Sequence, residues 1–275
     1  MTADIESLIN NALEEDIQSG DITTRNIRSP GQLCEAELIA KETLILSGMG
    51  IFKTLFLKLD SQTVFLSEPF QDGDLVEEGA MILKFQCDGV KTLEGERSGL
   101  NILQWLSGIA TLTRKYVDKA SPVTVLDTRK TTPGLRVFEK YAVGCGGGTN
   151  HRFGLYDEVM IKDNHIAVEN SLLFIIKKAK RKYKKFEVEV ENTSDAVLAA
   201  KEGATIIMLD NFSPTQIMKT IKVLKNQKLR NKVLLEASGG INSKNISKYG
   251  KTGVDIISIG SITNSVKGID MSLEI

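Results

Sequence analysis

The chain has 275 residues, 41% of them hydrophobic, and its 35 basic residues are matched by 35 acidic ones. Ample apolar content excludes intrinsic disorder. A formal charge of zero argues against a generic binder of nucleic acid or of an anionic membrane, since both need surplus positive charge. No apolar run approaches the ~20 residues of a spanning helix.

The length predicts one large domain or two modest ones. The first residues, MTADIESLINNALEEDIQ, are acidic and amphipathic and lack the basic start and cleavage site of a signal peptide. Cys34, Cys87 and Cys145 have no metal-ligand spacing, and there are two histidines, so a zinc site is not expected. Reduced thiols in a cytoplasmic protein are the expectation.

Residues 4–15 carry Ile5, Leu8, Ile9, Ala12 and Leu13 at helical spacing. Strand-like runs follow at 33–40 and 62–67, with a helical run at 51–59 between them. In 67–86 the Asp72-Gly73 and Glu78-Gly79 turns flank short apolar runs, which predicts β structure in a small α/β domain. Residues 91–120 have few breakers and read as one long helix bridging two regions, with an interruption near Gly108 as the expectation. After Pro122 short apolar strands alternate with helices: strands at 123–127, 158–162, 186–190, 205–209, 233–236 and 255–259, and helices at 193–202 and 214–226 among others. Strands buried on both faces and alternating with helices predict parallel βα units. Six of them predict a closed or nearly closed barrel, irregular beside the eight strands of a complete one. The predicted domains are 1–112 and 113–265, with 266–275 returning to the first as an edge strand. The basic run KKAKRKYKK (177–185) is read as the solvated end of a helix, because its flanks lack the aromatic and glycine signals of a nucleic-acid site.

In βα barrels the active site forms at the carboxyl ends of the strands. Those ends here are Asp127-Thr128-Arg129-Lys130, Lys162-Asp163-Asn164-His165, Glu187/Glu189/Glu191, Asp210-Asn211, Glu236 to Gly240, and Gly260-Ser261, and GCGGGTNHRFG (144–154) adds His151 and Arg152. Arg129, Lys130, Arg152 and Lys162 on one rim would repel one another unless an anion bound there, and arginine's planar fork suits carboxylate and phosphate. Glu189 and Asp210, from neighbouring strand ends, suggest Mg²⁺, a hard cation that prefers oxygen ligands. Ser238-Gly239-Gly240 and Gly260-Ser261 follow the last two strands, where barrels commonly bind phosphate through backbone N–H groups. The expectation is a Mg²⁺-assisted enzyme that joins a polyphosphate and a carboxylated molecule.

The run DTRKTTPGLRVFEKYAVGCGGGTNHRFGLYDEVMIKDNHI (127–166) strongly resembles the quinolinate phosphoribosyltransferase (nicotinate-nucleotide pyrophosphorylase, carboxylating) family. The likeness extends to EEDIQSGDITT (14–24), GERSGLNILQWLSGIATLT (95–113), EVEVEN (187–192), IIMLDNFSP (206–214), LLEASGGIN (234–242) and TGVDIISIGSIT (252–263). The resemblance implies an open α/β sandwich followed by an incomplete α/β barrel. It implies a homodimer with active sites shared between subunits, and the conversion of quinolinate and phosphoribosyl pyrophosphate to nicotinate mononucleotide, pyrophosphate and CO₂. By the same resemblance Arg129, Arg152 and Lys162 hold the quinolinate carboxylates, and Thr128 and His151 line that pocket. Lys130 contacts phosphoribosyl pyrophosphate, and Glu189 and Asp210 lie near the ribose hydroxyls and Mg²⁺. Ser238, Gly239 and Gly260 match the phosphate loops, and Arg97 is donated across the dimer interface. Two positions depart from the pattern: Gly144, where some members have a basic residue, and Asn264, where some have histidine.

Overall fold

The computed structural model of the protein describes residues 2–27 and 31–275. The chain divides into two compact units. The first contains the residues up to Arg114, Thr132–Gly147 and Ser265–Ile275.

It opens with α1 (Thr2–Asp16), whose apolar stripe buries Ile9 and Leu13, and with a short α2 (Thr24–Ile27). Then come β1 (Leu33–Ala40), β2 (Leu44–Ile45), α3 (Met49–Leu59), β3 (Val64–Ser67), β4 (Leu75–Val76), β5 (Met81–Asp88) and α4 (Gly89–Ala120), whose residues from Lys115 on belong to the second unit. β5 lies between β1 and β3 in an antiparallel sheet, and the chain's last strand pairs with the free edge of β1, Leu273 opposite Leu38. Period-two burial puts Ala36, Leu38 and Ala40 inward. Phe52 and Phe56 of α3 meet Phe85 of β5 with ring centroids 6.2 and 4.7 Å away. Gly95 and Gly99, one helical turn apart on α4, let that aromatic cluster approach: a Cβ at Gly99 would lie 3.0 Å from the Phe52 ring. Helix α4 runs through Gly108 without a break. The glycine serves packing instead, because a Cβ there would stand 2.5 Å from the Lys267 carbonyl oxygen of the returning C-terminal segment.

The second unit contains Lys115–Thr131 and Gly148–Asn264. Its strands are β6 (Thr124–Leu126), β7 (Met160–Ile161), β8 (Glu187–Val190), β9 (Ile206–Asp210), β10 (Leu234–Ser238) and β11 (Ile256–Ser258). They form one parallel sheet in the order β6-β11-β10-β9-β8-β7. Among the described residues the two edges, β6 and β7, are not paired with each other, so this is an incomplete barrel of six strands. The connections carry α6 (Asp163–Glu169), α7 (Leu172–Lys182), α8 (Thr193–Glu202), α9 (Pro214–Asn226), α10 (Ile246–Gly250) and α11 (Ser261–Asn264), numbered after α5 (Arg136–Cys145); β12 (Met271–Glu274) is the edge strand of the first unit. Helix starts follow local chemistry. Asn192 accepts the Asp195 N–H at 2.9 Å, and Ser213 and Gln216 cap α9 reciprocally ahead of Pro214. The basic end of α7 is exposed, as the solvated-face reading expects, and its cations complement the helix C-terminus. Among the described residues no helix is long and apolar enough to cross a membrane.

One expectation needs correction. Residues 132–147, read from sequence as part of the second domain, cluster with the first unit. Their helix α5 is tied there by the Tyr141 hydroxyl, which donates to Asp72 Oδ2 at 2.7 Å, and by Arg114 Nε, which donates to the Gly146 carbonyl at 3.1 Å. Asp72 in turn accepts the Gly48 and Met49 N–H groups at the start of α3.

Candidate active site

A cavity of about 730 Å³ opens in the second unit at the carboxyl end of the parallel strands. Of the strand-end and glycine-loop residues, those given a binding role line it: Thr128, Arg129, Lys130, His151, Arg152, Lys162, Glu189, Asp210, Ser238, Gly239, Gly240, Gly260 and Ser261. Arg97 is exposed on α4 of the first unit and is not among its lining residues. Asn264 lines the cavity, whereas Gly144 is exposed on α5 and does not.

The backbone places these groups with few contacts. Thr149 bridges to Leu126 along the edge of β6, exchanging bonds with Val125 and Asp127. The buried Asp127 then accepts the His151 N–H at 2.8 Å. This fixes His151 and Arg152 beside the end of β6, although 24 residues separate His151 from Asp127. Arg152 is buried and donates through Nη1 to the Glu158 carbonyl at 3.1 Å. Burial first, then the charge of Arg129, hold its pKa below the ordinary value, against the opposing charges of Glu187, Glu158 and Glu189. Two arginines close enough to repel one another make a pocket that gains free energy when an anion enters.

Lys162 ends β7 and caps α6, and its Nζ bonds Glu189 Oε2 across to β8. Asp210 ends β9 and accepts from Asn211 Nδ2 at 2.6 Å. Lys130 reaches the rim, its amide held by Thr128 Oγ1 at 3.0 Å and its carbonyl by the Thr263 hydroxyl at 2.8 Å. Past β10, Gly239 and Gly240 have φ of +88° and +64°, and Asn211 packs against the Gly239 Cα where a side chain would stand. Gly260 precedes α11, and a Cβ there would lie 2.9 Å from Lys130 Cδ. Both loops bring bare backbone to the cavity, the surface that phosphate oxygens use.

Two acids that the strand-end rule names carry no role in the sequence reading. Glu187 lies one inward step deeper than Glu189 on β8, and Glu236 one inward step deeper than Ser238 on β10. Both are buried against His151, whose Nε2 is 3.3 Å from Glu187 Oε2 and 3.7 Å from Glu236 Oε2. Burial opposes a charged His151, but the bond to Glu187 and the charges of Glu236, Glu187 and Glu158 outweigh it and raise its pKa. The Arg152 N–H, donating to His151 Nδ1 at 2.7 Å, works the other way by occupying the lone pair that a second ring proton would need. This direct contact leaves the ring neutral with its proton on Nε2. Burial, then the Glu187 charge, push Glu236 up to about 8, against the pull of His151, the Ser258 hydroxyl and Lys162. The available signal in sequence was a lone glutamate inside LLEAS, a strand whose other interior positions are apolar or small.

The chain matches the models of the quinolinate phosphoribosyl transferase N-terminal domain over residues 21–107 and of its C-terminal domain over residues 109–274. It is 41% identical over 276 residues to the probable nicotinate-nucleotide pyrophosphorylase [carboxylating] of Bacillus subtilis (strain 168), covering 98% of this chain and 93% of that one. The crystal structure of NadC from Streptococcus pyogenes superposes with a TM-score of 0.93 at 40% identity, covering 100% of this chain and 96% of that one. The nicotinate-nucleotide pyrophosphorylase of Francisella tularensis does so with a TM-score of 0.93 at 38% identity and the same coverage. Matched along both units, this chain belongs to the quinolinate phosphoribosyltransferase family.

Proposed function

We propose that the protein is a Mg²⁺-dependent quinolinate phosphoribosyltransferase, a cytoplasmic homodimer that converts quinolinate and phosphoribosyl pyrophosphate to nicotinate mononucleotide, pyrophosphate and CO₂ in NAD biosynthesis. The observation that carries this reading is the meeting of Arg129, Arg152 and Lys162 with two glycine loops in one cavity. Such a cavity accepts a dicarboxylate and a phosphorylated sugar side by side.

In this reading Arg129 and Arg152 grip the two carboxylates, with Thr128 and His151 beside them, and so aim the pyridine nitrogen at C1 of the ribose. Holding both reactants in register supplies much of the rate by removing the entropic cost of their encounter. Lys130 and the N–H groups of Ser238–Gly240 and Gly260–Ser261 bind the phosphates. The nitrogen's lone pair forms the new bond to C1 as pyrophosphate leaves with the electrons of the old one, and the ring becomes cationic. That charge stabilises the carbanion left at C2 when CO₂ departs, and a proton then quenches it. Lys162 steers the departing carboxylate or delivers that proton.

Glu189 and Asp210 suit Mg²⁺ in donor type: both offer carboxylate oxygens in the cavity, and Mg²⁺ is commonly held by one or two carboxylates together with water and substrate phosphate. Bound there, the ion would neutralise charge on the departing pyrophosphate. Arg97, exposed on α4, is proposed to complete the site of a second copy. The test is an assay of CO₂ and pyrophosphate release from the two substrates, with and without Mg²⁺. Release of both products in equal amounts, lost on chelation, is expected; no turnover with quinolinate would refute the reading.

A further inference from the structure

The proposed reaction makes no use of the two acids buried beneath the cavity. The side chain of Glu236 is 1% exposed, and among the described residues neither of its oxygens finds a hydrogen-bond partner. It is faced by Glu187 from β8, by His151 from the segment after β6, by Lys162 from the end of β7 and by Ser258 from β11, whose hydroxyl lies near enough to favour the ionised carboxyl but falls short of hydrogen-bond geometry among the described residues. Its neighbour in register on β9 is the uncharged Met208. An ionised carboxylate buried away from bulk solvent with a second carboxylate beside it is strongly disfavoured.

Two things could relieve that cost, a cation or a proton. His151, Glu187 and Glu236 have ligand atoms within 4.8 Å of one another, which is the spacing of a metal site. The histidine excludes that use as it stands. A metal-ligating imidazole donates its other N–H outward, but here Nδ1 accepts the Arg152 amide. The ring proton is therefore on Nε2, the atom that faces both acids. What remains is a proton on Glu236.

We propose that Glu236 is a positioning residue of the substrate site, held as an uncharged acid behind His151, and that dicarboxylate binding is linked to the proton it carries. The proposal rests on the functional reading above. A neutral Glu236 leaves the cations of Arg129, Arg152 and Lys162 available to the substrate's two negative charges. An ionised one, its proton released to solvent, adds a negative charge behind them. By reciprocity, the bound dianion tightens Glu236's hold on its proton by the same free energy with which that proton tightens the binding.

The experiment measures the dissociation constant for quinolinate from neutral to alkaline pH in the unmutated protein and in Glu236→Gln. In the unmutated protein the constant should climb above about pH 8, the value to which burial and Glu187 push this carboxyl, by up to about tenfold per pH unit. In Glu236→Gln that climb should be lost. Equal slopes in the two proteins would overturn the linkage.

Two measurements on the substrate-free, unmutated protein guard against a variant that does not fold. Infrared spectra at neutral pH should show the carbonyl stretch of an unionised carboxyl, and ¹⁵N spectra should show His151 as the neutral Nε2–H form, one of only two histidines in the chain. Absence of the infrared band, a cationic His151, or a His151 ¹⁵N signal that shifts on chelation as a metal-bound imidazole would each overturn the proposal. Failure of the protein to bind quinolinate at all would sink the functional reading and the linkage with it, while the spectra would still decide the state of Glu236.

Discussion

Arg152 shows how one side chain can be held in an unfavourable place for a purpose. It is buried, repelled by Arg129 and anchored by the Glu158 carbonyl, so its guanidinium has little freedom before a ligand arrives. Replacing it with alanine removes charge-assisted bonds worth about 2 kcal/mol or more, so KM for quinolinate should rise at least about 30-fold. KM for phosphoribosyl pyrophosphate should change much less, as initial-rate kinetics with each substrate varied would show. Lysine should rescue only partly, since an ammonium cannot reproduce the planar fork. Glu236 makes a complementary prediction about stability. Its carboxyl is raised from 4.5 to about 8 in the folded protein, so between those values the native state keeps a proton that the unfolded chain has released. Stability contributed by this group therefore falls as pH rises from 4.5 to about 8, and is flat above. Glu236→Gln does not titrate, and its Tm relative to the parent should increase across that window in thermal melts. The charges of this site are legible because the strand-end rule selects them. That rule names Glu187 and Glu236 too but gives them no role, because period-two alternation assigns them a face and says nothing of what stands across the barrel from that face.

At the scale of elements, apolar runs bounded by breakers located all six parallel strands, and the C-terminal edge strand fell where the sequence placed it. Helix α5 was missed: its contacts run to Asp72 and Arg114, remote in sequence, and no local pattern announces them. Glycine's cost in helix propensity suggests an interruption near Gly108, yet the helix is unbroken there and tertiary packing decides the residue's role. Two glycine-to-alanine changes separate propensity from packing. At Gly144, on α5, an added Cβ meets nothing within 4 Å, so the change should stabilise by about 0.4–1 kcal/mol. At Gly108 the same gain competes with a Cβ 2.5 Å from a backbone carbonyl that belongs to the returning segment. Overpacking of that kind costs about 1–3 kcal/mol, so the clash wins and Gly108→Ala should be the less stable protein. Hydrogen exchange should rise in β12, the strand that follows Lys267, and denaturant melts of the two variants should move in opposite directions.

At the scale of the whole molecule the open question is where Arg97 acts. It is exposed on α4, and the cavity that gathers Arg129, Arg152 and Lys162 does not include it. If the enzyme is a homodimer whose sites borrow this arginine, then Arg97→Ala and Lys162→Ala damage different halves of the same site. Each variant alone should be inactive. Mixed by refolding or coexpression in equal amounts, they should form heterodimers as about half of all dimers. Each heterodimer carries one site with both defects and one with neither, so activity should return to about a quarter of the parent level. Were Arg97 instead used within its own chain, every site in the mixture would keep one defect and activity would stay absent. Native mass spectrometry establishes that heterodimers have formed, which makes a silent mixture decisive against a shared site. Recovery would show that neither subunit's charges suffice alone, and that association of two chains is what brings the last cation to the substrate.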